Sequence, residues 1–135
     1  MGRLTRVPVV AWIVLGGALG TTARAALETW FPARAGSWPW TTFVINLVGS
    51  FVLGLLLQSL AVRGPDEGVR RTVRLGVGTG IVGGFTTYST FVLETDRLVR
   101  GGHAAVGFSY ALVSVVVGIA AAGAGMALAQ RRAAA

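Results

Sequence analysis

Gly83-Gly84-Phe85-Thr86-Thr87-Tyr88-Ser89-Thr90-Phe91 lies inside an apolar stretch, Val73 to Leu98, that is long enough to cross a bilayer as a helix. Paired glycines followed by a run of hydroxyl residues have modest helix propensity, so the segment predicts a membrane helix broken at its centre. At that depth, unpaired backbone N–H and C=O groups are tolerated only where they line a cavity or coordinate something. Carbonyls at one broken end suit a cation, and N–H groups at the other suit an anion. The plainer alternative is a glycine-permitted kink whose hydroxyls bond back to the preceding turn.

Three further apolar segments flank this one, at about Val7 to Trp30, Trp40 to Val62 and Ala104 to Ala129. Each is near or above the roughly 20 residues a crossing needs. The reading is therefore an all-α membrane protein, a single domain over residues 1–135 with four transmembrane helices, of which the third is broken. Short polar connections at Phe31 to Pro39, Arg63 to Arg71 and Arg100 to His103 join the spans. Arg3 and Arg6 before an apolar run, with Ala23-Arg24-Ala25 after it, imitate a secretory signal. The segment is nonetheless read as a span.

Composition agrees. The chain is 53% hydrophobic and 13% charged, too apolar for an ordinary soluble domain and the reverse of a disordered one. With no cysteine and one histidine, His103, thiol chemistry and histidine-rich metal sites are excluded. The net charge of +7 does not form a continuous basic face with interleaved aromatics, so no nucleic-acid partner is expected. There is no Walker loop, no His-Glu-x-x-His, no Gly-x-Ser-x-Gly and no carboxylate pair within one span, so the chain does not read as an enzyme. If the helices alternate, Arg3, Arg6, Arg63, Arg70, Arg71, Arg131 and Arg132 share one side, which the positive-inside rule puts in the cytoplasm together with both termini.

Small residues recur four apart at Gly16/Gly20, Ser50/Gly54 and Gly76/Gly80/Gly84, leaving flat faces for close helix packing in lipid. Four narrow helices enclose little, so a homo-oligomer is expected. Polar side chains within the spans carry the remaining information, since each must find a partner or face water. Asn46 lies in the apolar run Phe43 to Gly49 and is either inter-helix glue or a pathway donor. Tyr88 and Phe91, three apart, share a face where helix resumes, and their electropositive ring edges suit an anion. Tyr110 and Ser114 form a same-face hydroxyl pair that serves either helix packing or a pathway. Arg24 and Glu28 are spaced to pair, and Glu94 either bonds across an interface or sits at the membrane surface.

Three stretches together resemble the Fluc (CrcB) family of small bacterial fluoride channels: Gly16-Gly17-Ala18-Leu19-Gly20 with Arg24; Thr42-Phe43-Val44-Ile45-Asn46-Leu47-Val48-Gly49-Ser50-Phe51; and the opening nonapeptide with Glu94. The resemblance implies an antiparallel, dual-topology dimer in the bacterial inner membrane, exporting fluoride passively from the cytoplasm through two pathways. It implies Asn46, Tyr88, Phe91, Tyr110 and Ser114 along the fluoride pathway, Arg24 at a vestibule and Glu94 at the exit. It also implies a structural sodium ion (Na+) at the dimer interface, held by backbone carbonyls of Gly83 and Thr86 from both subunits. Tyr88 departs from the phenylalanine common at its position, and the arginine surplus on one side is at odds with dual insertion. A small proton-coupled multidrug-type exporter is the alternative function, and a non-transporting scaffold a third.

Overall fold

The computed structural model describes residues 8–135; Arg3, Arg6 and Val7 lie outside the described residues. Among the described residues every regular element is helical: α1 (Val9–Trp30), α2 (Trp40–Ala61), α3 (Gly68–Val73), a π-wound segment (Arg74–Val82), α4 (Gly83–Phe85), α5 (Ser89–Arg100) and α6 (Ala104–Ala134). Three of them, α1, α2 and α6, are long and apolar enough to cross a membrane. Prolines delimit the first pair, with Pro8 ahead of α1 and Pro39 ahead of α2, where a missing N–H costs nothing. Gly102, at φ 83°, turns the chain from α5 into α6 in a conformation that other residues rarely adopt.

The structure adds detail to the expected elements in four places. The connection expected over Arg63 to Arg71 is partly helical, because α3 starts at Gly68 and takes in Arg70 and Arg71, both good helix formers. α6 runs past the expected end at Ala129 to Ala134, where Arg131 and Arg132 in the last turn complement the negative end of the helix dipole. The stretch after Val73 is wound wide as a π-helix over Arg74–Val82 instead of as a regular α-helix, a winding made accessible by Gly76, Gly78 and Gly80. Finally, the break lies within the quoted segment, at Thr86 to Tyr88, while Gly83 and Gly84 ahead of it stay helical.

Packing is dominated by backbone meeting backbone. α1 lies on the π-wound segment and α4, α2 lies on α6, and α5 also rests on α6. A Cβ at Gly20 would come within 2.1 Å of the Ile81 carbonyl oxygen, and one at Gly84 within 2.5 Å of Gly17's. On the other pair, Gly54 faces the Ala122 carbonyl and Gly125 faces that of Phe51, each at 2.2 Å by the same measure. Among the described residues the buried hydrophobic side chains are only Ile45, Val82, Leu98, Tyr110 and Ala129. Large apolar residues such as Leu19, Leu112 and Ile119 stand exposed instead, as they must where lipid or another chain supplies the cover.

In the connection between α2 and α3, Asp66 pairs at 2.7 Å with Arg74, at the start of the π-wound segment. That hydrogen-bonded guanidinium holds the Asp66 carboxyl below its usual 3.8. A depressed carboxylate stabilises the fold above its unfolded-state value and loses that contribution as pH falls through its folded-state value. Asp66→Asn should therefore lower thermal stability slightly at neutral pH, and the difference from wild type should begin to shrink below about pH 4 and vanish only below the folded-state value. Melting curves in detergent across that range measure it.

Candidate functional site

The interruption is built by side chains that replace the missing helical bonds. Thr86 turns extended (φ −76°, ψ 157°) while its amide and hydroxyl both donate to the Val82 carbonyl, each at 2.9 Å, closing the first half-helix. In an unbroken helix the Thr87 amide would bond to Gly83. Here it donates to Asn46 Oδ1 at 2.8 Å, while Asn46 Nδ2 donates to the Thr87 carbonyl at 2.9 Å. The Thr87 hydroxyl accepts from the Thr90 amide at 3.2 Å and so caps the start of α5. One asparagine from α2 thus pairs with both backbone groups of a residue that has left the helix. Its bonds are those of inter-helix glue, and the same side chain also lines a groove.

That groove, of about 340 Å³, is lined by Asn46, Ser50, Thr86, Thr87, Tyr88, Phe91 and Ser114 among others. The Ser114 hydroxyl is buried and has no hydrogen-bond partner among the described residues. An unpaired buried donor of that kind asks for water or an anion. Tyr88 is the residue before α5, and its ring centroid lies 6.2 Å from that of Phe91 at a 40° tilt. Tyr88 is 79% exposed in the single chain. Phe91 continues to Tyr110 at 5.3 Å, and Tyr110 to Trp38 at 5.5 Å with planes at 81°. Aromatic rings therefore form a row from the groove toward the α1–α2 connection.

Beside that row runs a line of hydroxyls. Thr87 Oγ1 donates to Thr90 Oγ1 at 3.1 Å, and Thr90 lines a second cavity of about 560 Å³ together with Glu28, Thr42, Glu94, Arg97 and His103. At the floor of that cavity Glu94 accepts from Thr42 Oγ1 at 2.8 Å and from the fully buried Tyr110 hydroxyl at 3.0 Å. In the single chain Glu94 bonds across the contacts between helices, from α5 to Thr42 of α2 and to Tyr110 of α6, and is half-buried. Tyr110 is committed to Glu94, so of the α6 hydroxyl pair only Ser114 faces the groove unpaired. Arg24 does pair with Glu28, at 3.3 Å, and its Nε also donates to the Gly84 carbonyl at 3.3 Å.

The chain thus gathers Asn46, Tyr88, Phe91 and Ser114 at one groove and Glu94 at the next, with Tyr110 between them. Sequence reading gave no individual role to Thr42, Thr87 or Thr90, which connect the two spaces. Spacing held a signal for two of them: Thr42 precedes Asn46 by four, and Thr90 precedes Glu94 by four, each on one helix face.

Comparison with known proteins bears on what this arrangement does. The family described as CrcB-like protein, Camphor Resistance (CrcB), matches residues 11–126. The chain is 53% identical to the fluoride-specific ion channel FluC 2 of Leifsonia xyli over 86% of its length and 79% of the relative's. It is 50% identical to the fluoride-specific ion channel FluC 1 of Cutibacterium acnes, covering 87% of this chain and 82% of that one. The FluC 1 channel of Streptomyces coelicolor is 41% identical, over 81% and 69%.

Proposed function

The chain belongs to the CrcB-like family, and from that premise we propose that it is a fluoride-selective channel, not an enzyme, letting fluoride leave the cytoplasm passively. The observation that carries the proposal is the interrupted helix whose break is spliced by Asn46 beside a groove of neutral donors. Fluoride is small and strongly hydrated, so a pore must replace its water with close-range dipoles yet hold it weakly enough to release it. Asn46 and the unpaired Ser114 hydroxyl supply such donors, and the Tyr88 and Phe91 ring edges add positive rims without a fixed charge. Thr87, Thr90 and Thr42 continue the polar line to Glu94 and Tyr110 at the exit. The exporter reading gains nothing from the relatives, which are named as fluoride channels.

In this reading four segments cross the membrane, the fourth crossing being the broken rod from Gly68 to Arg100, and two copies insert antiparallel in a bacterial inner membrane. Support comes from Tyr88, which no lone chain covers, and from the apolar faces left open on α1 and α6. The arginine surplus at one end is a bias that assembly with an opposed copy has to override. The Gly83 carbonyl, whose helical donor has been taken by Asn46, and the carbonyl of extended Thr86 suit a hard cation such as sodium. Sodium there would offset the negative end of the first half-helix.

Liposomes loaded with fluoride or chloride test the proposal. The purified protein should release fluoride and retain chloride, and equal leakage of both would sink the selective reading. Phe91→Ile removes one ring edge, a contact of about 1 kcal/mol, and should slow fluoride efflux by about five- to tenfold without changing oligomeric state. The oligomer is checked by cross-linking in the same vesicles.

A further inference from the structure

We infer that Arg24 is a positioning residue, whose guanidinium holds the open C-terminal end of the half-helix that stops at the break. Three observations converge on the Gly84 carbonyl. Arg24 Nε donates to it at 3.3 Å, and Thr21 Oγ1, one turn earlier on α1, donates to it at 3.4 Å. The two backbones are pressed together at this level, with Gly20 against Ile81 and Phe85, and Gly84 against Gly17. Glu28, one turn later, steadies the guanidinium from the far side through Nη1, with both side chains about three-quarters buried at 21% and 27% exposure.

The physics of the half-helix calls for such a group. Its last carbonyls have no downstream amides, and its C-terminus carries the negative end of the dipole, which a cation stabilises. Arg24 lines neither the groove at Asn46 nor the cavity at Glu94, whereas Glu28 does line the latter. Its charge is therefore spent on the helix end and its carboxylate partner, not on collecting anions at the cavity. The role rests on the channel reading above, because the break it steadies is where the anion is handed across.

Glu28→Gln and Thr21→Val separate the two roles by sign. If Arg24 worked as a collecting charge, removing the Glu28 carboxylate would leave the mouth more positive and fluoride efflux would rise. As a positioning residue it loses its support in Glu28→Gln, so efflux falls about threefold and amide exchange from Phe85 to Thr90 quickens. Thr21→Val changes no charge yet should act in the same direction, through the same carbonyl. The measurements are fluoride efflux from liposomes and hydrogen exchange by mass spectrometry on the same full-length protein. Faster efflux in Glu28→Gln overturns the inference, as does unaltered exchange at 85–90 in both variants. A wild-type protein that passes no fluoride overturns the channel reading instead, and the exchange data still decide what Arg24 does.

Discussion

Asn46→Leu is expected to cut fluoride efflux by about a hundredfold or more. Leucine keeps the branched outline of the side chain, though it is bulkier, and removes every hydrogen-bonding atom. The Thr87 amide and carbonyl, which Asn46 pairs at 2.8 and 2.9 Å, are left unsatisfied, and each costs about 1–3 kcal/mol. The chain at the break must then shift to find other partners, and the groove also loses its amide donor. Asn46→Asp distinguishes the two losses. A carboxylate still accepts from the Thr87 amide but cannot donate to the Thr87 carbonyl, so the protein should fold with part of the stability loss, while its charge repels an anion from the groove and efflux should be absent. Fluoride-electrode recordings from liposomes, with melting curves on the same preparations, measure both. Near-normal efflux in either variant would remove Asn46 from the pathway.

A comparable loss, this time of the fold, is expected for Gly20→Val. The new Cβ alone would lie 2.1 Å from the Ile81 carbonyl oxygen and 2.7 Å from the Phe85 amide nitrogen. Both are backbone atoms, which cannot rotate aside as a side chain does, so α1 must be displaced from the half-helix along its length. Overpacking costs about 1–3 kcal/mol where side chains can yield, and more where they cannot. The variant should give little monodisperse protein in detergent. Gly17 provides the control from the same helix: nothing lies within 4 Å of its Cβ position. Gly17→Ala should be neutral or slightly stabilising, since alanine gains up to about 1 kcal/mol over glycine in a helix. Size-exclusion profiles of the two variants side by side make the comparison.

Glycine spacing pointed to Gly16 and Gly20 as a packing face, and the structure places both against carbonyls of the neighbouring segment. It could not tell that Gly17 faces open space, because that depends on which neighbour α1 meets. The break was legible from composition but not to the residue. Within the glycine and hydroxyl segment, α1 packs on Gly84 through Gly17 and Thr21, Gly83 and Gly84 stay helical, and the chain opens after Phe85, at Thr86. Asn46 was legible as a polar group needing a partner. That its partner is Thr87, 41 residues away, is a tertiary fact with no local signature. The commitment of Tyr110 to Glu94 escaped for the same reason, as did the wide winding of Arg74–Val82, which spacing rules tuned to 3.6 residues per turn do not anticipate.

So few side chains are enclosed within one copy, among the described residues, that lipid or a second copy has to cover the rest. Where association supplies what a core ordinarily would, stability obeys mass action and falls on dilution. For the proposed pair of copies a melting temperature has meaning only at a stated protein-to-lipid ratio, and diluting the chain into excess lipid should loosen it as surely as warming does.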